Sequence, residues 1–231
     1  MRIISDVNRG AWLAGLMHGW AQVGSVAGHG FEAYVRLLHP RPWERGNEEG
    51  WSRRRWADIA ARRGRVMHPL VQWERLLEVD ESRHSSDVGW LDPLVLAELA
   101  PLLAAATTTP DDVVAGFWEG GSGQKLRTPA VLELPDRAHV LAQTSLTEVG
   151  DPDWGHTLRL GWRNGLRTPS LQLLWPEDHA WVLATEIDWD STIVAGGRAL
   201  VDAILTDGRF EAFEVRHDDD LSSRGDTVNR P

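Results

Sequence analysis

The segment from Leu171 to Leu205 places the signals of several secondary-structure elements next to one another without a gap. An apolar run is followed by the turn sequence Pro-Glu-Asp-His, a second apolar run, a polar Asp-Ser-Thr step, a double glycine and an amphipathic run. The alternation over Trp181–Trp189 predicts one long β-strand, and the apolar spacing after Gly197 predicts a helix. A chain that contains this unit is expected to fold around a β-sheet, to which a final strand over residues 210–215 returns.

The predicted long strand becomes acidic towards its end. Glu186, Asp188 and Asp190 occupy even positions, whereas Trp181 and Trp189 occupy odd positions. Because side chains alternate between the two faces of a strand, this pattern predicts three carboxylates on one face and two buried tryptophans on the other. Neighbours on one face lie roughly 6.5 to 7 Å apart, which is too far for two carboxylates to share a proton. An acidic residue within a strand also requires that its face of the sheet is exposed to solvent, or that an arginine from a neighbouring strand pairs with it.

The rest of the chain alternates between helical and extended patterns. Helical periodicity covers residues 8–20, 52–64, 69–77 and 93–106, and extended patterns cover 31–38, 113–118, 130–134 and 138–144. The last three extended segments are predicted to form a meander, and Pro101 is predicted to kink or break its helix. We therefore predict a single α+β domain over residues 1–216, with helices packed on a twisted, mainly antiparallel sheet. An acidic, flexible tail over residues 217–231 is expected to follow it.

Composition limits the possible partners. The formal net charge is −10, from 24 Lys and Arg residues against 34 Asp and Glu residues, which disfavours nucleic acid and anionic membranes as partners. The acidic C-terminal part is instead suited to a basic protein partner. Cysteine is absent, so disulfides, thiolate metal sites and a cysteine nucleophile are excluded. Polar residues interrupt the apolar run over residues 11–28, so we expect no signal peptide, no membrane span and a cytoplasmic location.

Tryptophan is abundant, with 13 residues. Most of them fall on apolar faces of predicted elements and are expected in the core. Trp43, Trp51, Trp90 and Trp154 instead fall in polar loops. These four are candidates either for a binding surface, where tryptophan is enriched, or for small clusters packed under long loops.

Three motifs together resemble a family of uncharacterised actinobacterial proteins. They are the run LxWPxDxAWxxATEIDxDSTxxxGG over residues 173–197, the sequence Trp118-Glu119-Gly120, and the strand Gly30-Phe31-Glu32-Ala33-Tyr34 leading to His39-Pro40. The resemblance to this family spans almost the whole chain. In the order of its elements, the chain also shows a fainter similarity to immunity-type domains of the SUKH kind. The candidate binding residues in these motifs are Trp118, Glu119, Trp175, Glu177, Asp178, His179, Glu186, Asp188, Asp190 and Ser191.

The sequence Asp188-Trp189-Asp190-Ser191-Thr192 is similar to the DxDxT motif of haloacid-dehalogenase phosphatases. That fold requires the motif near its beginning, followed by a parallel, doubly wound sheet that carries further catalytic residues. Here little chain follows Thr192, and Lys125 lies upstream as the only lysine. We therefore predict that Asp188 is not a nucleophile. Asp188 and Asp190 are instead expected to orient the turn by accepting from backbone N–H groups, and Asp190 and Ser191 are expected to cap the helix that follows.

Metal and cofactor sites are not predicted. Glu177, Asp178 and His179 lie side by side, and His39 and His68 each precede a proline, but no HxH, HxxxH or HExxH spacing occurs. These histidines are expected to be turn residues. The glycine-rich sequence over residues 120–125 lacks the spacing of a phosphate-binding loop and is predicted to be a mobile hairpin loop.

Two functional hypotheses follow. The first is a non-enzymatic protein-interaction or immunity-type module that uses its acidic surface to bind a basic partner. The second is a small hydrolase or ligand-binding protein with Glu186, Asp188 and His179 in one cleft. A closed cleft would raise a carboxylate pKa through burial and like charge, whereas an open acidic face would not. We expect the open face, because three acids within five residues are costly to bury together without cations.

Overall fold

A computed structural model describes residues 1–40, 55–77, 88–120, 130–135, 137–157 and 170–230. The strands are β1 (Arg2–Ile4), β2 (Ala33–Leu38), β3 (Val113–Trp118), β4 (Leu132–Glu133), β5 (Ala138–Thr144), β6 (Leu173–Pro176), β7 (Trp181–Thr185), β8 (Ser191–Gly196) and β9 (Ala212–Val215). The helices are α1 (Asn8–Ala14), α2 (Val23–Ala27), α3 (Trp56–Arg63), α4 (Trp73–Leu76), α5 (Pro93–Ala105), α6 (Leu146–Val149), α7 (Trp154–Thr157) and α8 (Arg198–Thr206).

All of these strands join one antiparallel sheet with the order β1-β5-β3-β6-β7-β8-β2-β9, and β4 pairs with β5. The predicted single α+β domain with a mainly antiparallel sheet is therefore confirmed. The expected meander is wrong in one respect, because β3 pairs directly with β5 and β4 is not between them. An antiparallel sheet is also incompatible with the parallel sheet that the phosphatase motif requires.

Each face of the sheet is covered by different elements. Helices α5 and α8 cover one face, where Leu99, Leu103 and Ile204 are fully buried. Helices α1 and α2 contribute to the cover of the opposite face, where Leu13 and Val23 are fully buried. Alternating strand residues divide between these two layers, as period-two geometry requires. Each fully buried aliphatic side chain contributes about 1.5 to 3 kcal/mol to stability.

Helix α5 begins as its sequence predicts and does not break where it was expected to. The side chain of Asp92 accepts a hydrogen bond from the backbone N–H of Leu94 at 2.9 Å, and Pro93 takes the first helical position. The predicted break at Pro101 is absent, since the helix continues to Ala105. Leu99 and Leu103, on either side of this proline, are both fully buried. Their packing holds the two halves of the helix on the same face of the sheet.

The predicted long strand over Trp181–Trp189 is wrong. Strand β7 ends at Thr185, the chain turns, and β8 returns beside it with Thr192 opposite Thr185. The prediction that Asp190 and Ser191 cap a helix is also wrong, because α8 begins only at Arg198, after the extended Gly197. The alternation of apolar and polar residues in the sequence therefore continues through the turn between β7 and β8, which contains no glycine or proline.

The segment predicted to be a flexible tail packs against the domain. Leu221 and Asn229 are buried, and the side chain of Asp226 is fully buried. The carboxylate of Asp226 accepts hydrogen bonds from Nε2 of His68 at 2.9 Å and from the backbone N–H of Gln72 at 3.2 Å. These contacts from a distant part of the chain order residues that the local sequence presents as polar and acidic.

Within the described part of the chain, no helix has both the length and the apolar character that crossing a bilayer requires.

Candidate functional site

The structure divides the candidate residues between the two ends of strand β7. Glu177, Asp178 and His179 precede the strand, and Glu186 and Asp188 follow it. Five extended residues separate the two groups, which corresponds to roughly 15 Å. The cleft expected from Glu186, Asp188 and His179 is therefore not formed.

The residues before β7 hold a turn in place. Oδ2 of Asp178 accepts hydrogen bonds from the backbone N–H of Thr108 at 2.6 Å and from its hydroxyl at 2.7 Å. Burial alone would raise the pKa of Asp178, but these hydrogen bonds outweigh it and lower the pKa to about 2. A carboxylate oxygen of Glu177 accepts from Nε of Arg9 at 2.9 Å. Both carboxylates therefore serve to connect the turn to other elements.

Two tryptophans pack together with His179 at this end of the sheet. The ring of His179 stacks on Trp12 with 4.0 Å between centroids. Trp175 is fully buried and meets Trp12 edge to face at 6.4 Å. His179 has a positive φ of 54°, as expected for a turn residue. These contacts are structural. They hold His179 at the opposite end of β7 from Glu186 and Asp188.

Beyond β7, an arginine that the sequence analysis did not select binds two acids. Nε of Arg137 donates to Oε1 of Glu186 at 2.8 Å, and its Nη2 donates to Oδ2 of Asp188 at 2.8 Å. The same guanidinium lies 5.3 Å from the ring centre of Trp118. Glu119 is exposed, and its backbone N–H donates to the backbone oxygen of Ala138.

Asp190 and Ser191 contact a different arginine, which is buried. Nε of Arg36 donates to Oγ of Ser191 at 2.9 Å, and Nη2 of Arg36 lies 3.5 Å from Oδ1 of Asp190. Arg36 is 1 % exposed, and burial lowers its pKa from the ordinary value. The three acids after β7 therefore do not form one open face. Glu186 and Asp188 share Arg137, whereas Asp190 faces Arg36.

A small cleft with an internal volume of about 50 Å³ lies at the Glu186 end of the sheet and opens to solvent. It is bounded by α2, the turn before β5 and the turn after β7. Its apolar lining consists of Met17, Val26, Leu134, Pro135, Leu173 and Ile187. Its polar lining consists of Ser25, Arg137, His139, Gln172, Thr185 and Glu186. The cleft thus combines a largely apolar wall with a few convergent polar groups, as small-molecule sites commonly do.

His139 lines this cleft and offers it a hydrogen-bond acceptor. Its side chain is 5 % exposed, and Nδ1 lies 3.1 Å from the backbone oxygen of Arg137. A carbonyl oxygen only accepts, so Nδ1 carries the proton and Nε2 has a free lone pair. Within the described residues Nε2 has no hydrogen-bond partner. Burial, with a contribution from the charge of Arg137, lowers the pKa of His139 to about 4, so the ring is neutral at pH 7.

Gln172 lines the same cleft and offers it a hydrogen-bond donor. It is 5 % exposed, and its Oε1 accepts from the backbone N–H of Trp118 at 2.8 Å. That bond fixes the orientation of the amide and leaves Nε2 as the donor. No partner for Nε2 occurs in the part of the chain that the structure describes. Thr185, in contrast, is engaged, because its hydroxyl lies 2.7 Å from that of Thr192.

Sequence reasoning missed Arg137, His139 and Gln172. The only local signal was that His139 lies on the same face of β5 as the apolar Leu141. The missing information was which distant elements border it.

The described residues contain no group of three or more His, Asp and Glu side chains arranged to hold a metal ion. Of the tryptophans predicted to lie in polar loops, Trp154 is 1 % exposed and belongs to the core. Trp43, Trp51 and the glycine-rich sequence over residues 121–125 lie outside the described residues.

Comparison with known proteins finds no similarity that identifies the chain: no protein-family model matches it, and neither a curated protein nor a solved structure matches it significantly.

Proposed function

We propose that this protein binds a small molecule in the cleft beside His139. The observation that carries the proposal is the pair of unpartnered polar atoms, Nε2 of His139 and Nε2 of Gln172, in side chains that are each 5 % exposed. Both atoms reach the solvent of the open cleft and are not among the buried unsatisfied atoms of the described residues, so a ligand would replace water on them. A ligand that binds both atoms gains two direct hydrogen bonds, each worth about 0.5 to 1.5 kcal/mol net of the water it displaces, in addition to what it gains by covering the apolar wall.

Binding is better supported than hydrolysis. Glu186 is the carboxylate of the cleft, and Arg137 holds it in an ion pair. The hydroxyl of Ser25 donates to the backbone oxygen of Gln22 at 2.7 Å, so it is not activated by the histidine. His139 is neutral and able to accept a proton, but among the described residues no nucleophile is in hydrogen bond with it. We propose a binding protein located in the cytoplasm.

The test is a fragment screen monitored by NMR through the side-chain amide of Gln172. Val26 is half-buried in the wall of the cleft, so Val26→Phe should fill the cleft. Val66 is 54 % exposed and does not line the cleft, so Val66→Phe is the matched control. We expect binders that shift the Gln172 amide in the wild type and in Val66→Phe but not in Val26→Phe. A chemically diverse screen without such a binder contradicts the proposal.

A protein-interaction or immunity-type module is a second proposal, and the exposure of Trp20 favours it. This side chain is 75 % exposed, and the next residue, Ala21, has a positive φ of 55°. The loop contacts the acidic segment near Asp218, whose backbone oxygen accepts from Gln22. An exposed tryptophan beside acids suits a basic partner. Calorimetry with the product of an adjacent gene, at low and high salt, tests it, and Trp20→Ser should abolish the binding.

A further inference from the structure

The two free polar atoms of the cleft restrict the chemistry of a ligand. Nε2 of His139 offers only a lone pair, because the proton of the neutral ring is on Nδ1. Nε2 of Gln172 offers only N–H groups, because Oε1 is bound to Trp118. A ligand that satisfies both must therefore donate to His139 and accept from Gln172.

The charges of the cleft disfavour a charged ligand. Its charged lining residues are Arg137 and Glu186, which already neutralise each other at 2.7 Å. A carboxylate has no proton to donate to His139. An ammonium group has no lone pair for Gln172 and would lie near Arg137. Either ion would also lose its hydration without gaining a free counter-charge.

We propose that the cleft takes an uncharged carboxamide on an apolar body, with its N–H donating to Nε2 of His139 and its carbonyl oxygen accepting from Nε2 of Gln172. The inference rests on the proposed function and adds the ligand class to it. Met17, Leu134 and Leu173 would contact the apolar body. One carboxamide supplies both the donor and the acceptor that the two free atoms require.

The experiment compares four probes that share one ring: benzamide, N,N-dimethylbenzamide, benzoate and benzylammonium. Benzamide should bind roughly tenfold more tightly than its dimethyl derivative, which lacks the donor. The two ions should bind on the order of a hundredfold more weakly than benzamide. In the wild type, the Nε2 nitrogen resonance of His139 should move with benzamide and stay in place with the dimethyl compound. This NMR readout does not depend on any variant being folded.

The variant His139→Phe removes the acceptor and keeps an aromatic ring of similar size. It should lower benzamide affinity roughly tenfold and make benzamide and N,N-dimethylbenzamide bind equally. Val66→Phe should leave the preference unchanged.

Two results would overturn the carboxamide assignment. One is tighter binding of benzoate or benzylammonium than of benzamide, and the other is a preference for benzamide that persists in His139→Phe. If none of the four probes binds while the fragment screen finds binders, the ligand class is wrong and the cleft remains a binding site. If the screen also finds no binder, the proposed function itself fails.

Discussion

Arg137 reaches Glu186 through two of its nitrogens, with Nε and Nη2 lying 2.8 and 2.7 Å from the same carboxylate oxygen. The two residues belong to turns that are far apart in the chain and meet only at the end of the sheet. This ion pair neutralises the partly buried Glu186, whose side chain is 17 % exposed, and forms one side of the cleft. It also removes the open acidic face on which a simple electrostatic interaction would depend.

The ion pair should contribute measurably to stability. Glu186 has 17 % side-chain exposure, whereas Asp188, on the same arginine, has 75 %. We expect a double-mutant cycle of Arg137→Met and Glu186→Gln to give a coupling of about 1 kcal/mol. The cycle with Asp188→Asn should give less than about 0.5 kcal/mol. Urea unfolding measures both cycles, and equal couplings would show that burial does not distinguish the two acids.

His139 should make stability depend on pH in a defined window. Burial lowers its pKa from 6.5 to about 4 in the folded protein. Below pH 6.5 the unfolded chain therefore binds a proton that the folded chain does not, and stability falls as the pH decreases towards 4. The loss attributable to His139 is about 3 kcal/mol. Arg137 and Glu186 are the charged groups that line the cleft with it.

The control for this pH effect is His139→Gln, which does not titrate. The difference in unfolding free energy between wild type and variant should change by about 3 kcal/mol from pH 7 to pH 4. Asp178, whose pKa is about 2, loses its contribution mainly below this window. A constant difference across the window would mean that His139 protonates normally in the folded state.

Buried Arg36 should depend on Asp190. Removing the carboxylate with Asp190→Ala leaves a buried cation with weaker compensation, so we expect a loss of about 3 kcal/mol. Ser191→Ala removes one neutral hydrogen-bond partner of Arg36 and should cost about 1 to 2 kcal/mol. Arg36→Met combined with Asp190→Ala should recover part of the larger loss. Thermal and urea unfolding measure the stability of the variants. If Asp190→Ala costs no more than Ser191→Ala, another group neutralises Arg36.

Asp226 should hold the C-terminal segment on the domain. Its carboxylate binds His68 and the backbone of Gln72 and Asn229. We expect Asp226→Ala to lower stability by about 2 to 4 kcal/mol and to increase hydrogen exchange at Asn229 selectively. The control is Asp218→Ala in the exposed part of the same segment, which should leave the free energy of unfolding nearly unchanged. Similar effects of the two substitutions would argue against a specific role for Asp226.

Local signals in the sequence predicted most of the elements. Asp92-Pro93 marked the start of α5, Gly64 ended α3 with a positive φ of 63°, and the period-two patterns located β3 and β5. The same reasoning merged β7 and β8, because Glu186–Asp190 continues the alternation and contains no turn residue of the usual glycine or proline kind. Local patterns show where a side chain points within an element, and they do not show what lies opposite it.

The sequence by itself determined the α+β class, most of the elements and the exclusion of cysteine chemistry, because these depend on composition and on periodicities of two to four residues. Only the tertiary structure decided which charges meet and which polar atoms stay free. Arg137 pairs with Glu186, Arg36 faces Asp190, and His139 loses its charge because the sheet order and the placement of α2 bring together residues that are distant in the chain. A pKa and a free lone pair depend on burial and on partners, and both are properties of the packed domain.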